Sequence, residues 1–435
     1  MWLLEECRKN RNYLVYGGLE ELVNYITNLK YSPAQIQLLQ KGGLITNNFA
    51  KYLKTFRFSG DVHAMSEGNI FFPEEPIVRI TAPLIEASLI ETVIFGITVS
   101  NVLFMSKASR ISSITKNVTL GMQRAHSFES GIKGLRCGHI CGLSVNAWPV
   151  FVEKHHLPIN RNYLVSGQHF FVKSFSDELS AFKKMVQHFP NNAAFMIDTY
   201  NIKKGIENAI IVGKGIKKRG GNLQFVTIDS GDLNILSRMT RNKLDLSGLQ
   251  KVKIIAATNL DEYKLKKLVN KKAPIDVFVV ATEYTTVSDS PSLEVIYKIA
   301  EIRDGKKIHY TAKLTPGKES FPGRKQVFRK YKNGKFVSDT VGLESEKHGV
   351  PQLNMIIHKG KLMKKLPSLK KIQIYFNKQL KSMPRKLLDI DSRQRYRVDV
   401  SSKLRELLNK VKKKRKITAQ SYILWINCLT GVHNL

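Results

Sequence analysis

Between residues 193 and 283, short apolar runs alternate with helical patterns. Ala193 to Ile197 ends in Asp198, and a helical pattern follows from Gly205 to Lys218, closed by Gly220-Gly221. Leu223 to Ile228 ends in Asp229 and leads into a helical pattern from Leu233 to Leu244. A strand at Val252 to Ala257, a helix at Leu260 to Asn270 and a strand at Ile275 to Val280 complete the series. Such alternation belongs to βαβ units, in which each helix carries the chain back so that successive strands run parallel. It predicts an α/β fold built on a parallel sheet or barrel.

Polar residues stand at the C-terminal end of each predicted strand: Asp198-Thr199, Asp229-Ser230-Gly231-Asp232, Thr258-Asn259 and Thr282-Glu283. Ligands bind at that edge of parallel α/β folds, because strand ends and helix N-termini converge there. Each of these residues could instead cap the helix that follows it. Four clusters in succession point to a shared site.

The flanking segments read differently. Gly18 to Leu29 and Pro33 to Leu39 are predicted helices, Phe56 to Ile80 short antiparallel strands, and Ala82 to Arg110 a long buried helix. Its most apolar stretch, Thr92 to Met105, falls short of the roughly 20 residues a membrane span needs. After Pro322 the chain is lysine-rich with one further predicted helix, Ser402 to Val411. Lys412 to Lys416 reads as a solvated basic terminus, and Ser421 to Leu435 receives no role.

Charge and cysteine content narrow the function classes. The net charge is +35, and residues 313–416 alone carry 30 Lys/Arg against 8 Asp/Glu. Such a field attracts polyanions or simply solvates ordinary faces. No nucleic-acid-binding module is recognisable, so neither nucleic acid nor membrane is expected as a partner. Cys7, Cys137, Cys141 and Cys428 are too scattered for a disulfide framework. No secretory signal follows Met1, and the expected location is cytoplasmic. Cys137-Gly138-His139-Ile140-Cys141 fits no common zinc spacing, His155-His156 reads as surface, and Val212 to Lys218 lacks phosphate-loop spacing. Strand-end aspartates suit a Mg²⁺-assisted reaction on a phosphorylated sugar. Lys107, Arg110, Arg124 and Lys173 could clamp its phosphates. From residue types alone the chain is an α/β enzyme acting on something anionic.

The central wording resembles the nicotinate phosphoribosyltransferase family. Asp198-Thr199-Tyr200 with Gly205-Ile206-Glu207-Asn208-Ala209, Ile228-Asp229-Ser230-Gly231-Asp232-Leu233 and Leu260-Asp261-Glu262-Tyr263 follow the family's order. So do Ala273-Pro274-Ile275-Asp276, Ser288-Asp289-Ser290-Pro291-Ser292-Leu293, Val295-Ile296-Tyr297-Lys298 and Pro322-Gly323-Arg324-Lys325-Gln326-Val327. Upstream, Phe58-Ser59-Gly60-Asp61-Val62, Pro83-Leu84-Ile85-Glu86-Ala87 and Lys107-Ala108-Ser109-Arg110-Ile111 fit as well.

The resemblance implies an irregular α/β barrel (type II phosphoribosyltransferase-like) over 116–330, an N-terminal α+β domain over 1–115, and a basic C-terminal segment over 331–435 packing back on the latter. It implies transfer of phosphoribosyl from phosphoribosyl pyrophosphate to nicotinate, with Mg²⁺ and with ATP coupled through a phosphorylated histidine, in a homodimer. The implied catalytic residues are His169, Asp198 and Asp229. Lys107, Arg124, Ser144, Ser230, Asp232 and Thr282 would bind substrate and phosphate, and Asp229 and Asp232 would hold Mg²⁺.

Several positions depart from the family's wording. Its segment around the histidine is two residues shorter here, in Ser166-Gly167-Gln168-His169-Phe170-Phe171-Val172. Gly142-Leu143-Ser144-Val145-Asn146 is altered, the paired arginines read Gln123-Arg124, and a glycine turn reads Val279-Val280-Ala281-Thr282. Thr227 stands where the family has an arginine two residues before the aspartate. Side chains in place of glycine hinder backbone approach to a phosphate. A weakened or inactive member serving as a binding subunit is therefore the second reading.

Overall fold

The computed structural model describes residues 2–3, 11–145, 157, 165–190, 192–315 and 319–414. Cys7, Asn146, His155, His156, Cys428 and the stretch 415–435 lie outside them. The chain divides into two compact units, one formed by Met1–Val102 with Ser292–Leu435 and the other by Leu103–Pro291. The boundaries expected from the family resemblance are 115/116 and 330/331. Composition gives no sign of the first division, because it falls inside one continuous helix, Glu91–Ile114. With 24 residues that helix is long and apolar enough to cross a membrane by length and composition, but 67% of its apolar window is buried.

Among the described residues the second unit holds seven strands: β1 (Val118–Leu120), β2 (Ser144–Val145), β3 (Val165–Gly167), β4 (Ala193–Met196), β5 (Phe225–Ile228), β6 (Lys253–Ala256) and β7 (Val277–Val280). Their order in the sheet is β2-β1-β7-β6-β5-β4-β3, and every neighbouring pair is parallel. That order is cyclic: each strand lies beside its neighbours in sequence, as in a barrel, with a seam between β2 and β3. The helices are α1 (Phe128–Ile140), α2 (His169–Lys173), α3 (Glu178–His188), α4 (Ile202–Lys218), α5 (Leu233–Leu246), α6 (Glu262–Asn270) and α7 (Thr282–Thr285). From β4 to β7, the span over which the sequence places strands and helices, predicted and observed bounds agree within a few residues. The largest discrepancy is at α4, which starts before Gly205 because Asn201 caps it through the Lys204 N–H.

Side-chain alternation gives each strand an outer and an inner face. Phe195 stacks on Phe182 of α3 with ring centroids 4.3 Å apart, which identifies the outer face. Register adds Val226, Ile254 and Ala256 to that face, all fully buried under the helices. The inner face carries Met196, Thr227, Ile255, Val279, Thr119 and Ser144.

Helix α4 approaches β4 so closely that a Cβ on Gly205 would sit 1.9 Å from the Ile197 carbonyl oxygen. Gly205→Ala therefore has to push helix and strand end apart, at a cost of about 1–3 kcal/mol or more. We expect a lowered Tm together with lost activity, since Asp198 follows Ile197 directly. Wild-type Tm in that variant would contradict the packing described.

In the first unit, Asp61–Ala64 pairs antiparallel with Val78–Thr81, and Leu14–Val15 with Ile70–Phe71. The lysine-rich segment is more structured than its sequence suggests. Lys325–Lys332 and Lys335–Leu343 form a long hairpin, and Leu369–Ser382 is a helix missed by the sequence reading. In the first strand a continuous buried run, Gln326 to Arg329, precedes the exposed Lys330, Tyr331 and Lys332, so no period-2 alternation marks it in the sequence. At the hairpin's centre the fully buried Arg329 donates to Asp339 through Nε (3.0 Å) and Nη2 (2.6 Å).

Candidate active site

Capping decides which strand-end polar groups remain available. Asp232 Oδ1 accepts the Asn234 and Ile235 N–H groups at the start of α5, and Asp261 caps α6 through the Lys264 N–H. Asp198 and Asp229 cap nothing. Asp198 Oδ2 accepts the Asp229 N–H (2.8 Å) and the Ser230 hydroxyl (2.6 Å), tying the end of β4 to the end of β5. Asp198 Oδ1 is buried without a hydrogen-bond partner.

His169, the first residue of α2, joins this pair. Its Nδ1 is hydrogen-bonded to Thr199 Oγ1 at 3.1 Å, and its Nε2 lies 3.9 Å from Asp229 Oδ2. Thr199 was visible in the sequence only as part of a strand-end cluster, and nothing there marked it as the partner of His169. Burial, and after it the Asp198 carboxylate, push the Asp229 carboxyl up from its ordinary range, against the opposing pull of His169, the Thr258 N–H and Arg124. Thr258 and Asn259, following β6, both have positive φ (70° and 39°). Asparagine tolerates such a conformation, but for the β-branched Thr258 it is strained, and strained backbone of this kind clusters at functional sites.

Arg124 Nη1 donates to Thr282 Oγ1 at 3.2 Å, bringing the ends of β1 and β7 into the same group. Ser144 is exposed at the start of β2, in register with Thr119 on the inner face. His169, Asp198, Asp229, Ser230, Arg124 and Thr282 therefore converge at one end of the barrel.

Lys107 does not join them as a free phosphate ligand. It is 1% exposed, and its ammonium is held by Glu262 (2.6 Å) and Asp289 (2.9 Å). Arg110 is likewise buried against Glu262 (3.0 Å). Their burial inside a helix-packed cluster could not be read from residue type.

Asp232 offers only Oδ2, its other oxygen being given to the cap. Among the described residues no cluster of three His, Cys, Asp or Glu side chains could cage a metal. The half-exposed hard oxygens of Asp229 do fit Mg²⁺, which needs only one or two carboxylates when substrate phosphates complete its shell.

Residues 5–98 match the family model for the nicotinate phosphoribosyltransferase N-terminal domain, and residues 349–408 match that for its C-terminal domain. A nicotinate phosphoribosyltransferase of Mycobacterium tuberculosis is 31% identical over 400 residues, covering 91% of this chain and 84% of the relative. One from Bacillus subtilis is 33% identical over 325 residues, covering 73% and 65%. The crystal structure of human nicotinic acid phosphoribosyltransferase superposes with a TM-score of 0.78 at 19% identity over 94% of both chains, a likeness of fold.

Proposed function

The chain belongs to the nicotinate phosphoribosyltransferase family, and on that premise we propose that it forms nicotinate mononucleotide and pyrophosphate from nicotinate and phosphoribosyl pyrophosphate, with ATP hydrolysis, in NAD biosynthesis. The observation that carries this reading is the pairing of Asp198 and Asp229, with His169 beside them, at the open strand ends.

In this transfer the ring nitrogen of nicotinate bonds to the ribose anomeric carbon as the bond to pyrophosphate breaks, and positive charge develops on the sugar. Asp198 and Asp229 present fixed negative charge there, with no reorganisation needed at the moment of reaction. Asp198 is oriented by the Asp229 N–H and Ser230, and its Oδ1 is buried without a hydrogen-bond partner. Arg124 would neutralise phosphate oxygens, with Thr282, Ser230 and Ser144 as hydroxyl donors. Asp229, with Asp232 Oδ2, would hold Mg²⁺, which would supply charge neutralisation for the departing pyrophosphate.

His169 is the residue we assign to ATP coupling. The Thr199 bond at Nδ1 orients the ring and leaves Nε2 to accept the γ-phosphoryl group as ADP departs, while Asp229 stabilises the charged imidazole. His169→Ala should remove ATP stimulation and keep basal transfer; unchanged stimulation would exclude the assignment. A homodimer and a cytoplasmic location complete the proposal, the latter supported by the sparse, scattered cysteines.

The second reading, a non-catalytic binding subunit, draws on the altered glycine turn at Val279-Val280-Ala281 and on Thr227. The intact Asp198–Asp229–His169 group favours the enzyme.

A further inference from the structure

A cavity between α5 and α6 carries lysines that play no part in the chemistry above. Its volume is about 410 Å³, inside the ~300–1,000 Å³ range of small-molecule sites. Lys264, Lys267 and Lys271 line it together with Leu233, Leu260 and Leu268. The lysines are spaced by three and four residues, which puts them on one face of α6. That row runs roughly 10 Å along the helix axis. Asp232 is the one carboxylate in the lining, and its Oδ1 already accepts two N–H groups of α5. Three positive charges therefore stand against one negative.

A solvated helix face explains this row only in part. The helix macrodipole favours cations at a C-terminus, which accounts for Lys267 and Lys271 at the end of α6. Lys264 sits in the first turn, where the macrodipole opposes a cation. Its ammonium is nevertheless held at the cavity by the carbonyl of Asn259, itself a lining residue, at 2.7 Å. Arg238 of α5 braces the far end, donating to the Lys271 carbonyl (2.6 Å) and to Asn234 Oδ1 (3.3 Å). Among the described residues, the Lys267 and Lys271 ammonium groups have no carboxylate partner. Thr258 also lines the cavity, and its N–H bonds Asp229, so the cavity lies beside the catalytic group.

A single phosphate cannot touch both ends of such a row. A chain of two or three phosphates can, each meeting a lysine in turn. We propose that this groove is a second anion site, separate from the transfer centre, that takes an oligophosphate chain, free or carried by a nucleotide. Leu233, Leu260 and Leu268 offer apolar surface to the organic part of a nucleotide, whereas a free chain uses the lysines alone.

Calorimetric titration of tripolyphosphate into the full chain, without Mg²⁺, tests the site. Lys267→Gln/Lys271→Gln should weaken binding about tenfold, as loss of two charge-assisted contacts does, with Tm unchanged. Lys214→Gln/Lys218→Gln removes the same charge from exposed positions on α4 and should keep affinity within about twofold of wild type. Titrations with ADP and pyrophosphate separate the two sources. Tighter ADP binding that is lost in Lys267→Gln/Lys271→Gln assigns the site to nucleotides, and the reverse order assigns it to free oligophosphate. KM for phosphoribosyl pyrophosphate should stay within about threefold of wild type in Lys267→Gln/Lys271→Gln. Unchanged tripolyphosphate affinity in that variant, or an equal loss in the α4 variant, would overturn the site. A KM for phosphoribosyl pyrophosphate that rises in step would overturn it too, because the groove would then belong to the transfer centre. Should wild type show no turnover, the transferase reading fails separately and the binding contrast still decides the site.

Discussion

Asp198→Asn is expected to lower kcat by about 10²–10³-fold, the usual loss when one preorganised electrostatic group is removed from a site of developing charge. The substitution is nearly isosteric, and the amide oxygen can still accept the Asp229 N–H and the Ser230 hydroxyl, which bond Asp198 at 2.8 and 2.6 Å. The fold should therefore survive, so Tm should hold while turnover falls. The variant also carries a pH signature. The Asp198 charge is one of the two causes that push the Asp229 carboxyl up, after burial. Removing it lets Asp229 ionise at lower pH, and the acid limb of the residual activity should move to lower pH. Full turnover in Asp198→Asn, or an acid limb displaced upward, would contradict the roles given to the pair.

Asp339→Ala is expected to cost about 3–5 kcal/mol of stability, because it strands a buried guanidinium without its counter-charge. Arg329 and Asp339 face each other across the hairpin and are both fully buried. The Tyr396 hydroxyl donates to Asp339 at 3.0 Å, and the guanidinium lies 4.3 Å from the Phe336 ring centroid. Water cannot replace the carboxylate in such surroundings. Glu75, 4.0 Å from Arg329, is the group that could partly replace it. Burial, and then the Asp339 charge, hold the Glu75 carboxyl well above its ordinary range. With Asp339 gone, the second cause disappears and Glu75 ionises more readily beside Arg329. Adding Glu75→Gln to Asp339→Ala should therefore cost more than the two single losses suggest. Denaturant unfolding measures both effects, and a loss below about 1 kcal/mol for Asp339→Ala would show that the pair is not the anchor of the hairpin.

The barrel was legible in the sequence because its strands are short apolar runs with fixed punctuation. Each ends in a polar cluster, and each helix begins within a few residues. What the sequence could not separate was a capping carboxylate from a catalytic one. Asp232 and Asp229 lie three residues apart in one motif, yet Asp232 gives an oxygen to the α5 N-terminus while Asp229 faces His169. Lys107 shows a related limit: residue type marks a cation in a motif, and only the structure shows Glu262 and Asp289 holding it. In the first unit, Lys325–Lys332 offers no alternation to read: Gln326, Val327, Phe328 and Arg329 are all buried, and Lys330, Tyr331 and Lys332 are all exposed. Arg329, the most deeply buried cation there, was indistinguishable from its solvated neighbours.

The central claim is that Asp198, Asp229 and His169 serve phosphoribosyl transfer to nicotinate. Mass spectrometry of a reaction containing the full chain, nicotinate, phosphoribosyl pyrophosphate and Mg²⁺, with and without ATP, tests it most directly. The account predicts enzyme-dependent nicotinate mononucleotide, increased by ATP. Folded, full-length protein that yields no product would contradict it and favour the binding subunit.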